Sequence, residues 1–142
     1  MSYIIMSSGK IHKPVTETEI VPRYSETDQG GIVHNSVYPI YFEIGRTELL
    51  RENGMAYSFL EENNCRMVVA EIQVKFRRPA YYDQQLTLKT ECSNVTKAKI
   101  EHTYTLFRAD TKLTVAEGKT IVACVDSKGK PMKIPDYLYP AG

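Results

Sequence analysis

The chain has 142 residues, about the length of one domain that buries a hydrophobic core of its own. Its 18 lysines and arginines nearly balance 17 aspartates and glutamates, and a net charge of +1 creates no general attraction for nucleic acid or a membrane surface. Three widely spaced cysteines without a Cys-x-x-Cys pair argue against both a disulfide framework and a zinc site; they are Cys65, Cys92 and Cys124.

The N-terminal part predicts an irregular lead-in followed by a strand. Residues 1–15 have no periodicity, and their apolar run at residues 3–6 is too short for a signal-peptide core. A cytoplasmic protein is therefore expected. Residues 16–23 mix β-branched and charged side chains in rough alternation, which indicates a strand with one solvent-exposed face. This strand leads to Asp28.

Asp28 is the centre of the one stretch in which chemistry is visible. Gly30 and Gly31 follow it, and glycine permits positive φ and a close approach of the backbone to a ligand. The commoner role of an aspartate before two glycines is to accept hydrogen bonds from backbone N–H groups in a turn. The residues alone thus leave two roles open for Asp28, a reactive carboxylate or a turn residue.

A long helix is predicted over residues 36–53. Asn35 and Ser36 are favourable N-cap residues, and Pro39 falls in the first turn, where a missing N–H costs no helical hydrogen bond. The unpaired N–H groups of this turn stabilise negative charge, including that of an oxyanion. The apolar side is expected to contain Val37, Ile40, Tyr41, Ile44 and Leu49, and the charged side Glu43, Arg46, Glu48, Arg51 and Glu52.

The rest of the chain changes to a period of two. A short helix is predicted over residues 55–62, followed by strands over residues 68–77, 86–92, 100–107 and 113–125. Gly118 is expected to mark a bulge or a close approach. Residues 127–142 indicate a basic, loosely ordered tail. In the first of these strands, the residues predicted to face the core are Val68, Ala70, Ile72, Val74 and Phe76.

These elements predict one α+β domain over residues 1–142. Short connections make neighbouring strands antiparallel, and an antiparallel sheet with one apolar face needs the long helix to cover that face. Free sheet edges are a site of association, and pairing them across a two-fold axis removes them and creates a cleft. A homo-oligomer, dimer or tetramer, is therefore expected.

The loop and the helix start together form a recognisable motif. It reads Tyr24-Ser-Glu-Thr-Asp28-Gln-Gly-Gly31-Ile-Val-His-Asn35-Ser-Val-Tyr38, with Phe42-Glu43 and Arg46-Thr47-Glu48-Leu49-Leu50-Arg51 on the helix. Two later segments support it, Arg78-Pro79-Ala80-Tyr81-Tyr82-Asp83 and Ala116-Glu117-Gly118. Over about residues 16–138 the chain resembles the hotdog-fold acyl-CoA thioesterases of the 4-hydroxybenzoyl-CoA thioesterase type.

The resemblance implies a fold, an activity and site residues. The sheet would wrap around the long helix, subunits would pair edge to edge, and an active site would lie at each interface. Asp28 would be the catalytic carboxylate, as nucleophile or as general base, and the backbone N–H of Asn35 would bind the oxyanion. Many relatives carry histidine at the Asn35 position; here His34 precedes it, and it either polarises the substrate or packs. No metal or cofactor is implied.

Several residues around the motif are candidates for binding the substrate. Arg77 and Arg78, with Lys75, would meet the phosphates of CoA or form the solvated face of a strand. The candidate substrate-binding residues are Tyr24, Gly30, Gly31, Tyr38, Arg77 and Arg78.

Two other functions remain open. A hotdog dehydratase acting on carrier-bound acyl chains needs a histidine and an acid together, and His34 with Glu43 is the only nearby pair. A non-catalytic module that binds acyl-CoA is the other alternative, although Asp28 and its glycines favour an enzyme. Neither nucleic acid nor membrane insertion is expected.

Overall fold

The computed structural model describes residues 10–141, which form six strands and two α-helices. The elements are β1 (Val15–Ile20), α1 (Tyr38–Glu52), α2 (Tyr57–Glu62), β2 (Arg66–Phe76), β3 (Leu86–Val95), β4 (Ile100–Arg108), β5 (Thr114–Val125) and β6 (Pro131–Met132). All strand pairs are antiparallel, in the order β1-β3-β4-β5-β2, with β6 beside the end of β5. In this part of the chain no helix is long and apolar enough to cross a membrane.

The alternation predicted for the centre of the sheet is confirmed. On β3 and β4 every second side chain is buried beneath α1. The ring of Phe42 stacks on that of Tyr104 with centroids 4.2 Å apart. A Cβ on Gly118 would overlap the Phe42 ring, which confirms the expected close approach. The inward residues are Leu86, Leu88, Thr90 and Cys92 on β3, and Ile100, His102, Tyr104 and Leu106 on β4.

Helix α1 packs on part of its predicted apolar side, since Val37, Tyr41 and Leu49 are buried, but the buried face is rotated at three positions. Ile40 and Ile44 were expected in the core but are 51% and 38% exposed, whereas Arg46, expected in solvent, is 6% exposed. Arg46 donates to the hydroxyl of Tyr104 over 3.2 Å. Gly45 sets this orientation, because only glycine lets the helix approach β3 so closely. The prediction failed at Ile40, Ile44 and Arg46 because two adjoining stripes of α1 are apolar, and the pattern does not say which one packs.

Strand β2 also departs from the prediction, because it contains a bulge. The register with β5 shifts between Val69 and Glu71, so Ala70 is an extra residue. Val69 lies opposite the buried Val122 and so takes the inward position, while Val68 moves to the outer face. Since β2 is the last strand of the sheet, little covers its inward side chains, and most of the predicted core face is exposed.

The C-terminal segment is ordered, and the expectation of a loose tail was wrong. Strand β6 pairs with β5, and Ile134 and Leu138 are buried in a second apolar cluster. Ile11, in the predicted lead-in, belongs to the same cluster; residues 1–9 lie outside the described part of the chain. The Sγ atoms of Cys65 and Cys124 lie 3.3 Å apart within it, and both thiols are free. Isolated apolar residues among prolines and lysines carry no period, so the pattern gave no sign of this packing.

Candidate active site

Asp28 closes a tight turn and keeps one carboxylate oxygen free. Its N–H donates to the carbonyl of Ile32 over 2.8 Å, and its Oδ1 accepts from the N–H groups of Gly30 and Ile32 at 2.9 and 3.2 Å. Of the two glycines only Gly31 has a positive φ, +76°. The turn uses Oδ1 alone; within residues 10–141 no group donates to Oδ2, and the side chain is exposed.

A second turn in the chain has the same hydrogen bonds. Asp126 Oδ1 accepts from the N–H groups two and four residues later, both at 2.9 Å, and Gly129 has a φ of +81°. The Asp126 N–H likewise donates to the carbonyl four residues later, that of Lys130. The turn alone therefore does not distinguish Asp28; its surroundings do.

The start of α1 lies beside this turn and leaves a donor free. A 3-10 turn, Asn35–Val37, precedes α1, and His34 caps it: Nδ1 of His34 accepts from the N–H of Ser36 at 3.1 Å. The prediction of Asn35 or Ser36 as the N-cap was wrong by one or two residues, because this extra turn has His34 as its N-cap and α1 has Val37. Among the described residues no acceptor contacts the N–H of Asn35.

A mainly apolar cavity of about 310 Å³ opens next to Asn35. The rings of Tyr38 and Phe76 meet edge to face in it, with centroids 5.0 Å apart. Asp28 does not line the cavity, but its turn is bonded to Ile32, which does. The lining residues are Ile32, Val33, Asn35, Tyr38, Phe76, Arg77, Arg78 and Pro79.

Glu26 anchors the Asp28 loop to α1, a role that sequence reasoning missed. Its carboxylate accepts from the Tyr41 hydroxyl at 2.9 Å and from the N–H of Arg23 at 2.8 Å, and its carbonyl accepts from the N–H of His34. Burial, and then this carboxylate, raise the pKa of Tyr41, so the phenol stays protonated and donates. The spacing of Arg23 and Glu26, three residues apart as in a capping box, was the available signal.

The remaining candidates lie at the rim or away from the cavity. Arg77 binds Glu117 with Nε and Oε1 2.8 Å apart, while Arg78 donates to a backbone carbonyl, that of Thr114, at 2.7 Å. Glu43 lines a different cavity, and among the described residues no hydrogen bond joins it to His34, whose side chain contacts Ser36.

The family follows from comparison with known proteins. Residues 22–141 match the model of the thioesterase-like superfamily, and the chain belongs to that superfamily. The hotdog fold and the expected class of enzyme, a thioester hydrolase, are thereby confirmed.

Individual relatives cover most of the chain. The acyl-CoA thioesterase YbgC of Haemophilus influenzae is 38% identical over 114 residues, 79% of this chain and 82% of that protein. The chloroplastic acyl-acyl carrier protein thioesterase ATL3 of Arabidopsis thaliana is 27% identical over 138 residues, 97% of this chain and 73% of that protein. The structure of DHNA-CoA thioesterase from Staphylococcus aureus, 23% identical, matches with a TM-score of 0.79 over 84% of this chain and 80% of that one, a likeness of fold.

Proposed function

We propose that the chain hydrolyses acyl-CoA thioesters to a free acid and CoA, as a member of the 4-hydroxybenzoyl-CoA thioesterase type. The observation that carries this proposal is the Oδ2 of Asp28, which accepts no hydrogen bond from the described residues. The turn of Asp28 is bonded to Ile32, and Ile32 lines an apolar cavity together with Asn35, whose N–H has no acceptor among these residues. The names of relatives support acyl-CoA as the substrate. Three free, buried cysteines suit a cytoplasmic location, which belongs to the same proposal.

Asp28 starts the reaction by one of two routes. As nucleophile, Oδ2 attacks the thioester carbonyl carbon, the C–S bond breaks to release the CoA thiolate, and water then hydrolyses the mixed anhydride. As general base, Asp28 takes a proton from the water that attacks the same carbon. Both routes consume one water and yield an acid and a thiol.

The N–H of Asn35 is the proposed oxyanion donor. In either route the carbonyl oxygen becomes negative, and a donor at the positive end of a helix stabilises it most when no protein acceptor competes. The acyl group would occupy the cavity beside Tyr38 and Phe76, and Gly30 and Gly31 would let the substrate approach the backbone. His34 is assigned a capping role that holds this helix start in place.

Thiol release from short, long and aromatic acyl-CoAs tests the proposal. Because the amide keeps the shape and loses the charge, Asp28→Asn should lower turnover by about 10²–10⁴-fold. Asp126→Asn, in the matching turn, is the control and should retain turnover. His34→Ala should cause a smaller loss. Near-normal turnover in Asp28→Asn would refute the assignment of Asp28. If the wild type binds CoA but releases no thiol from any of these substrates, a non-catalytic binding module would be favoured.

The homo-oligomer is proposed because an apolar surface on α1 and β2 is left uncovered in the single chain. Exposed apolar residues of α1 and of the edge strand β2 flank a cavity of about 250 Å³, which Arg46 also lines. Arg46 is a nearly buried cation, and among the described residues no carboxylate lies within 4 Å of it. Buried charges and large exposed apolar patches are both rare in monomers, so a second copy is the proposed cover. The lining residues are Pro39, Ile40, Glu43, Arg46, Val69 and Ile72.

Light scattering coupled to size exclusion tests this surface. The wild type should elute as a dimer or tetramer, and Ile72→Glu should dissociate it by placing a charge in the contact. Leu113→Glu changes an equally exposed apolar residue outside the surface and should leave the mass unchanged. A monomeric wild type, or equal behaviour of the two variants, would contradict the proposal.

A further inference from the structure

Two exposed tyrosines lie together near the candidate active site, and the mechanism does not use them. Tyr24 is 74% exposed and Tyr82 is 53% exposed. Their rings meet edge to face with centroids 5.6 Å apart, so each supports the other while their outer faces stay in solvent. Tyr81, beside them, is also exposed. Exposed aromatic clusters of this kind mark binding surfaces.

The pair is attached to the loop of the candidate carboxylate. The N–H of Tyr82 donates to the carbonyl of Gly31 over 3.0 Å, and Tyr81 pairs with Ile32 in an antiparallel bridge. Gly31 and Ile32 belong to the turn that Asp28 closes. The two rings therefore lie on the same piece of backbone as the turn of Asp28, next to the candidate active site.

The order of side chains along residues 76–82 is informative. Phe76 lines the cavity, Arg78 follows at its rim, and Tyr82 comes four residues later, at most about 14 Å along the chain. Arg78 uses one nitrogen on a backbone carbonyl, and among the described residues no carboxylate lies within 4 Å of it. An apolar site, a free cation and an aromatic surface thus follow one another. An acyl-CoA presents an apolar acyl group and, beyond its pantetheine arm, phosphates and then a purine base.

We propose that Tyr24 and Tyr82 form a stacking surface for the adenine base of the CoA substrate, with Arg78 on its phosphates. This inference rests on the proposed function, which it deepens by naming the carrier. A base stacks well on an aromatic ring that stays solvated in the free protein, because every base has an apolar face. The phosphates of CoA suit the positive charge of Arg78. An acyl carrier protein has no base to stack here, and it is the competing occupant.

Steady-state kinetics with paired substrates separate the nucleotide from the rest of CoA. An acyl-CoA and the matching acyl-pantetheine carry the same thioester, but only the former has adenine. In Tyr24→Ala and Tyr82→Ala the KM for acyl-CoA should rise about tenfold, or 1.4 kcal/mol, with kcat unchanged. Values for acyl-pantetheine should not move, and Tyr24→Phe and Tyr82→Phe should restore the KM for acyl-CoA.

Calorimetric binding of free CoA and of pantetheine separates this inference from the proposed function, because it needs no turnover. The alanine variants should bind CoA about tenfold more weakly and pantetheine as the wild type does. Equal effects on both ligands, or none, would overturn the inference even if thioesters are hydrolysed. A loss confined to acyl-carrier-protein substrates would overturn it in favour of a protein-docking surface. Failure of hydrolysis with this CoA pattern intact would refute only the proposed enzyme.

Discussion

His102 makes the stability of the fold depend on pH. It lies on the inward face of β4, opposite Cys92 and Thr120 of the neighbouring strands, and its Nδ1 has no partner within residues 10–141. Burial, and then the charge of Arg46, lower the pKa of His102 to about 3. The imidazole therefore stays neutral in the folded chain down to that pH.

The sign and the size follow from proton binding in the two states. In the unfolded chain the pKa of a histidine is about 6.5, so below that pH the unfolded state binds the extra proton and the free energy of unfolding falls. Each pH unit between the two pKa values costs about 1.4 kcal/mol, so the loss from pH 7 to pH 5 is about 2 kcal/mol. The effect ends below about pH 3, where both states are protonated.

Urea unfolding at pH 7 and pH 5 measures this difference at one fixed protein concentration. Carboxylates such as Glu52 also titrate, but they do so equally in the wild type and in His102→Gln, which cannot titrate at this position. The wild type should therefore lose about 2 kcal/mol more than the variant. Equal losses in the two proteins would refute the reasoning, because they would mean that His102 is protonated in the folded state.

Four other substitutions have defined outcomes. Gly118→Ala places a methyl group against the Phe42 ring and should lower the free energy of unfolding in urea by about 1–3 kcal/mol. An unchanged unfolding midpoint would contradict the close packing. Tyr41→Phe removes the hydroxyl that donates to the Glu26 carboxylate, and it should lower both the free energy of unfolding, by about 1.5–3 kcal/mol, and kcat. Wild-type stability and kcat would show that Glu26 does not anchor the Asp28 loop through Tyr41. Gly31→Ala and Gly129→Ala force similar positive φ values and should each cost about 1–2 kcal/mol. Only Gly31→Ala should lower thioester turnover. Equal turnover in Gly31→Ala and Gly129→Ala would show that the Asp28 loop has no part in catalysis.

The sequence predicted those strands whose two faces differ. Leu86, Leu88 and Thr90 alternate with polar residues and lie where the pattern places them. The run at residues 68–70 is apolar throughout and has no phase, so a one-residue bulge at Ala70 reverses its faces without changing the pattern. The predicted sides of α1 were wrong at Ile40, Ile44 and Arg46 for a related reason, since two apolar stripes offer two ways to pack the helix.

The candidate site was predictable only where a local motif defines it. Asp28, its glycines and the helix start are adjacent in sequence, and the structure places them together. Phe76 and Glu26 were missed in the site because their roles depend on contacts with α1. These contacts join Phe76 to Tyr38 and Glu26 to Tyr41, over 38 and 15 residues of sequence. No spacing rule links residues so far apart before the fold is known.

The positions of the cysteines provide reporters for one end of the molecule. Cys65, Cys92 and Cys124 are all buried in the second apolar cluster, and none belongs to the cluster beneath the candidate site. A thiol reagent reaches them only when this end opens, so labelling rates in dilute denaturant measure its opening free energy apart from that of global unfolding. The unmodified protein thus carries its own probes for asking whether the second apolar cluster opens before the cluster beneath the candidate site.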